Sequence, residues 1–247
     1  MAGRARREKQ DEELRVLAID IGGTGLKASI VDRSGQLLVP RRRIRTPYPC
    51  PPSVMMDALA ELTAPLPPHN RIAIGFPGVV RNGAVVTAPH FGTGDWAGFP
   101  LAKAATERFA SAARLVNDAE MQGLAVIEGK GLELVLTLGT GAGTGLFRAG
   151  EIMPHLELAH HPIYKNQTYN DYIGNAALAK HGKKHWNKRV GNTIEILDSL
   201  LHYDHLYIGG GNSSRVTLRL PPHVTLVSND AGIEGGAALW RSAVRTA

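Results

Sequence analysis

Two stretches share one plan. Leu17–Asp32 reads LAIDIGGTGLKASIVD and Leu132–Phe147 reads LELVLTLGTGAGTGLF: an apolar run, a glycine turn holding a threonine, and a second apolar run. Apolar runs this short, bounded by glycines, read as strands and not as core helices, so each stretch is a strand–turn–strand unit. Helical patterns and further strands follow each unit: RIAIGF and ARLVND after the first, DHLYIGGG and HVTLVS after the second. Strands mixed with helices in both halves predict an α/β protein of two lobes.

Boundaries follow from pattern breaks. Residues 1–14 form a charged tail without the apolar middle of a secretory signal. Residues 15–118 are assigned to an N-terminal α/β lobe and 119–247 to a C-terminal one, the pattern restarting after Gly129 and Gly131. A closing helix over 231–243 is free to return to the first lobe. Smaller elements are expected too: a strand across QLLVPRRRIR, a helix capped by Ser53 and running through Leu62, a strand at AVVTA, and helices over Tyr169–Lys180 and Lys184–His202.

Composition excludes several functions. No apolar run approaches the roughly 18 residues of a membrane span. The single cysteine, Cys50, excludes an internal disulfide framework and any zinc site needing two thiolates, and it fits a reducing cytoplasm. The net charge of +6 points to an anionic partner. Bases concentrate at Arg41–Arg45 and at Lys180–Arg189, where five bases and two histidines occur without an acid. Such a run is either a solvated face or a track for a polyanion. No stacking aromatics interleave with it, so nucleic acid is not an expected partner.

Three glycine turns follow apolar runs: Gly22-Gly23-Thr24-Gly25, Gly139-Thr140-Gly141-Ala142-Gly143 and Gly209-Gly210-Gly211. One such turn is explained equally by a hairpin that needs positive φ; three together suit backbone amides that cradle phosphate. None is a P-loop or a dinucleotide fingerprint. Asp20, ending an apolar strand beside the first turn, is placed either to cap it or to hold Mg²⁺ through water. Asn117-Asp118, where a strand passes straight into a helix, is either an N-cap or a catalytic carboxylate at a mouth between elements. Glu157 and His160, three residues apart, are spaced to accept from and donate to neighbouring sugar hydroxyls. His155, His160 and His161 match no standard zinc spacing.

With those residues in view, the chain resembles the ROK family of sugar kinases, and within it the polyphosphate glucokinase branch. DIGGTGLK resembles the family's first phosphate loop, GFPGVVRNG its Gly-x-Pro-Gly segment, VNDAEMQGLA its catalytic Asn-Asp segment, LGTGAGTGL its second phosphate loop, ELAH its Glu-x-Gly-His sugar motif and IGGG its nucleotide loop. The resemblance implies a two-lobed actin/hexokinase-like (ribonuclease H-like) fold with a cleft between the lobes. It implies Asp118 as base, and Asn117, Glu157, His160, Gly78 and His90 as sugar contacts. It implies phosphate or nucleotide contacts for Asp20, Gly22, Gly23, Thr24, Gly25, Lys27, Gly139, Thr140, Gly141, Gly143, Gly210 and Gly211, with Mg²⁺ as cofactor. The expected partners are glucose or a related hexose and polyphosphate or ATP, with a homodimer as an assembly. Departures concern the sugar end: Ala159 replaces the motif's glycine, His90 or Asp95 stands where an asparagine is usual, and Asn170 or Asp171 lies near a second glutamate's place. The family's cysteine-rich zinc loop has no counterpart in HPIYKNQTYND. A sugar or nucleotide sensor without catalysis is the alternative on this scaffold.

Overall fold

The computed structural model describes residues 14–228 and 231–241. The tail expected over 1–14, except Leu14, and the last residues of the expected closing helix lie outside them. The chain forms two compact units, residues 1–125 with 232–247, and residues 126–231.

In the first unit β1 (Val16–Ile21) and β2 (Gly25–Val31) form an antiparallel hairpin across the first glycine turn. β3 (Arg42–Arg45) pairs antiparallel with β2, while β4 (Arg71–Phe76) lies parallel to β1. A small hairpin, β5 (Val80–Arg81) and β6 (Ala84–Val85), precedes β7 (Ala112–Asn117), which pairs parallel to β4. The sheet order is β3-β2-β1-β4-β7, with β3 on an edge. Only the last four residues of the expected QLLVPRRRIR strand pair with β2, and Leu37 makes an isolated bridge to Val31. Between them stands Pro40, which has no N–H for a ladder. The expected AVVTA strand is likewise short, ending at Val85.

Alternation decides the faces of this sheet. Leu17, Ile19, Ile21, Leu26, Ala28 and Ile30 bury against the helix α1 (Pro52–Thr63), which contributes Met55, Leu59 and Leu62. That helix starts one residue before the expected Ser53 cap. Pro52 takes its first position with no side-chain cap, since proline has no N–H to leave unsatisfied there. Phe76, Phe91 and Trp96 extend the core beneath the short helix α2 (Thr93–Trp96). Helix α3 (Leu101–Phe109) leads into β7, and α4 (Asp118–Val126) follows it without a loop.

In the second unit β8 (Leu132–Leu138) and β9 (Ala142–Arg148) form the second hairpin. β10 (Glu151–Ile152) pairs with β9, and β11 (Pro162–Tyr164) with β12 (Gln167–Thr168). Then come α5 (Tyr169–Ile173), α6 (Asn175–Leu201), β13 (His205–Gly209) and β14 (Val224–Leu226), giving a sheet ordered β10-β9-β8-β13-β14. Of the two helices expected over Tyr169–Lys180 and Lys184–His202, the first is itself divided at Gly174, and the expected break between the two falls at Gly182, a kink in α6 with φ 73 and ψ 162. Trp186, Val190, Ile194 and Leu197 of α6 bury against β8 and β13.

The chain ends with α7 (Ala231–Glu234) and a 3-10 turn, Gly235–Trp240, in place of one regular closing helix. In the first unit a Cβ on Gly236 would stand 2.7 Å from that of Ala18, and Trp240 Nε1 donates to the Ile72 carbonyl. Among the described residues no helix is long and apolar enough to cross a membrane.

Candidate functional site

β1, β4 and β7 run parallel, so their carboxyl ends meet at one edge of the first unit's sheet, where α/β sheets bind ligands. Three sequence motifs arrive there. Asp20 ends β1, Gly78 follows β4, and Asn117-Asp118 joins β7 to α4. Register sets Asp20 opposite Gly75, and a Cβ on Gly75 would stand 3.3 Å from Asp118 Cα, so the start of α4 lies over the strand next to Asp20.

The first glycine turn closes with Gly22 N donating to Gly25 O at 3.1 Å, and the Thr46 hydroxyl donates to Gly22 O at 2.6 Å. Its glycines are not there for positive φ, which none of them has. They allow close approach. A Cβ would stand 2.9 Å from Gly25 O at Gly22, 3.2 Å from the His90 ring at Gly23 and 2.9 Å from Arg43 Nε at Gly25. Gly23 and Thr24 remain exposed at the tip. His90 therefore packs on the first glycine turn, a neighbour its distance in sequence concealed.

Lys27 lies opposite Asp20 and sets its ammonium 2.8 Å from Asp20 Oδ2. The Asp20 carboxylate has a second oxygen, two residues before a turn whose tip, Gly23 and Thr24, is exposed. One carboxylate next to a phosphate cradle is a donor set that suits Mg²⁺, which binds one or two carboxylates plus phosphate oxygens and waters. Asp20 fits that ion.

Asn117 is buried and holds three segments together. Its amide donates to Gly78 O at 3.1 Å and to Phe76 O at 3.4 Å, its Oδ1 accepts from Ala119 N at 2.8 Å, and its own N–H donates to Glu120 Oε2 at 3.0 Å. Asp118 is half-buried at the first turn of α4, with Oδ1 accepting from Ala119 N at 2.9 Å. Its place in the first turn sets the carboxylate at the positive end of the helix dipole. The buried Glu120 and Thr87, whose hydroxyl accepts from Val79 N beside Gly78, complete this corner. Thr87 carries no motif that sequence reading could have used, whereas Glu120 stands three residues after Asn117, the spacing by which a glutamate reaches back to the N–H at a helix start.

In the second unit Gly139 N donates to Gly141 O at 2.9 Å, closing the turn between β8 and β9. Two other segments wrap it. Asn170 Oδ1 accepts from Ala142 N at 2.8 Å, and Asn175 N donates to Gly139 O at 3.0 Å. From the loop after β13, Asn212 N donates to Leu138 O at 2.8 Å and its amide to Gly139 O at 3.3 Å. The sequence-predicted Gly139–Gly143 and Gly210–Gly211 turns are thus neighbours. Beside the latter lies a hollow of ≈ 390 Å³, lined by Gly210, Gly211, Ser213, Ser214, Leu226 and Ser228 among others.

Asn170 and Asp171 have other duties than the sugar contact weighed for them. Asn170 supports the glycine turn, and Asp171 caps α5, its Oδ2 accepting from Thr168 N at 3.0 Å and from its hydroxyl at 2.7 Å. Glu157 keeps an ionised carboxylate. The hydrogen bond from His155, 3.5 Å away, holds it below the usual glutamate range against the opposing pull of burial; the His155 and His160 charges and the Ala159 N–H help. His160 is exposed at the end of the same turn, which the Asn170 N–H pins through Ala159 O at 3.0 Å. Among the described residues no three His, Cys, Asp or Glu side chains cluster as a metal site.

Comparison with known proteins gives four consistent likenesses. The ROK family profile matches residues 16–156. The polyphosphate glucokinase of Mycobacterium tuberculosis (strain CDC 1551 / Oshkosh) is 29% identical over 237 residues, covering 89% of this chain and 88% of that protein. The N-acetylmannosamine kinase of Escherichia coli O139:H28 is 34% identical over 145 residues, 57% of this chain and 50% of that one. Among solved structures, the inorganic polyphosphate/ATP-glucomannokinase from Arthrobacter sp. strain KM superposes with a TM-score of 0.82 at 30% identity, over 91% of this chain and 97% of that one.

Proposed function

We propose, from the premise that this chain belongs to the ROK family of sugar kinases and has its α/β actin/hexokinase-like fold, that it transfers a phosphoryl group from polyphosphate or ATP to the 6-hydroxyl of glucose or a related hexose. One observation carries the reading: a half-buried carboxylate, Asp118, starts a helix at the same sheet edge as Asp20 and the Gly22–Gly25 turn, whose tip at Gly23 and Thr24 is exposed.

In the proposed reaction the sugar oxygen attacks the terminal phosphorus of the donor while the P–O bond to the rest of the donor breaks. The hydroxyl proton passes to Asp118, and the shortened donor leaves with the bonding electrons. General-base help of this kind is worth about 10²–10⁴-fold. Asn117 fixes the approach of Asp118 by tying the start of α4 to the Gly78 segment. Gly22–Gly25, with Lys27, and Gly139–Gly143, with Gly210 and Gly211, are assigned to phosphates of the donor, where amides and a cation stabilise charge. Asp20 would hold Mg²⁺, which when bound neutralises donor phosphate charge. Glu157, kept ionised, accepts from a sugar hydroxyl and His160 pairs with a neighbouring one; His90 is assigned to the sugar beside the first turn.

The relatives' names support the proposed donor and acceptor. Polyphosphate glucokinase and polyphosphate/ATP-glucomannokinase support both donors and a glucose-like acceptor, while N-acetylmannosamine kinase makes an amidosugar the rival acceptor. A coupled assay over glucose, mannose and N-acetylmannosamine, each with polyphosphate and with ATP at matched Mg²⁺, tests this. Glucose 6-phosphate formed from either donor is the expected result. Sugar binding without any phosphorylated product would make the protein a sensor.

A further inference from the structure

We propose that Arg43 and Arg45 of the edge strand β3 form a subsite for a linear polyphosphate chain beyond the phosphates held in the first glycine turn. The inference rests on the phosphoryl-transfer reading and names where the donor chain runs on the first unit.

Register places a row across three strands. Asp20 is opposite Lys27, and Lys27 is opposite Arg43, so all three side chains leave the same face of the sheet. Gly25 is opposite Arg45, one step nearer the turn on that face. The other face is the core side, where Ile44 packs with Leu26. Arg43 therefore points back toward the turn, close enough that a Cβ on Gly25 would stand 2.9 Å from its Nε. Thr46 ties the end of β3 to the turn through Gly22 O, which keeps Arg45 beside it.

Edge strands carry bases to discourage pairing with other chains, and that alone would explain exposed arginines. It does not explain their alignment. Arg43 and Arg45 are exposed, and among the described residues neither guanidinium has an ion-pair or hydrogen-bond partner in the protein. Lys27, by contrast, is already paired with Asp20. A row running from an amide turn through an ammonium to two unengaged, fork-shaped guanidiniums matches a chain of phosphates longer than the turn holds. The basic run on α6 (Lys180, Lys183, Lys184 and Lys188, all exposed) lacks such a turn beside it in register.

The test uses the full chain without sugar, end-labelled long-chain polyphosphate read by fluorescence anisotropy, and a salt series. Arg43→Gln with Arg45→Gln is expected to weaken long-chain binding about tenfold and to flatten the logarithmic salt slope by about 1.4, while tripolyphosphate loses only about twofold. Lys183→Gln with Lys184→Gln and Lys188→Gln is expected to lose less on the long chain. Unchanged long-chain binding in the arginine variant, an equal or greater loss in the lysine variant, or a single-stranded RNA that competes as well as polyphosphate at equal phosphate would each overturn the subsite. Circular dichroism confirms that the variants fold. Absence of turnover with every donor would sink the kinase reading and leave this binding result standing; polyphosphate turnover with unaltered binding in the arginine variant would do the reverse.

Discussion

Gly210 and Gly211 are adjacent in sequence, yet the structure gives a methyl group at each a different fate. Gly210 has φ +85, where an L-residue is strained, and a Cβ there would stand 2.5 Å from Leu138 O and 2.7 Å from Leu138 N. Both neighbours are backbone of β8 and cannot swing aside. To reach even 3.0 Å the turn must move by about half an ångström, away from the strand that accepts Asn212 N at 2.8 Å. The backbone strain costs about 1–2 kcal/mol, the crowding about 1–3 and the weakened hydrogen bond about 1. A Gly210→Ala variant should therefore lose about 4 kcal/mol, or roughly 8–16 °C in melting temperature for a chain of this size. A Cβ on Gly211 meets nothing within 4 Å and its φ is not positive, so Gly211→Ala should melt within about 2 °C of the wild type. Differential scanning calorimetry on the two variants reads the difference. Equal melting of both would refute the reasoning about how this loop packs on Leu138.

Three further outcomes follow from the geometry. Lys27→Met leaves Asp20 without its cation; the pair is partly exposed, so stability should change by no more than about 1 kcal/mol, while the Michaelis constant for the donor should rise about tenfold in the coupled assay. Glu157 has its carboxyl held below the ordinary glutamate range, chiefly by the His155 hydrogen bond; a depressed folded-state pKa stabilises above the unfolded value and stops doing so as pH falls through the folded one. The melting-temperature gap between wild type and Glu157→Gln should accordingly be full above about pH 5 and close at lower pH. Tyr207 is pushed up to about 12 by burial first and by its hydrogen bond to Glu133. Its contribution is complete below pH 10 and lost as pH rises toward 12, so Tyr207→Phe should blunt alkaline destabilisation over that interval in a pH-jump unfolding measurement.

How far the sequence foretold this molecule depended on whether the deciding interaction was local. Leu17–Asp32 and Leu132–Phe147 announced their hairpins because apolar runs and a turn need only their own residues. Asp118 stood out because strand and helix patterns meet there without a gap. The closing segment, read as a helix, bends into a 3-10 turn because its Gly235-Gly236 pair lies directly on the Met121 carbonyl and on Ala18, contacts more than a hundred residues away in the chain. The same holds at the site. His90 on Gly23, Asn170 beneath Ala142 and Arg43 over Gly25 are all meetings of residues distant in sequence, which only the folded chain brings together. Asn170 and Asp171, weighed for a sugar contact, make hydrogen bonds to a glycine turn and within a helix cap, and only the first of these needed the fold to be seen.

The central claim is that Asp118 takes the sugar proton. The direct test is Asp118→Asn, nearly unchanged in shape and still able to accept from Ala119 N, assayed for turnover with glucose and a saturating donor while sugar affinity and melting temperature are followed. The account predicts that turnover falls at least about 10²-fold with binding and melting largely retained. Turnover within a few-fold of the wild type would contradict it.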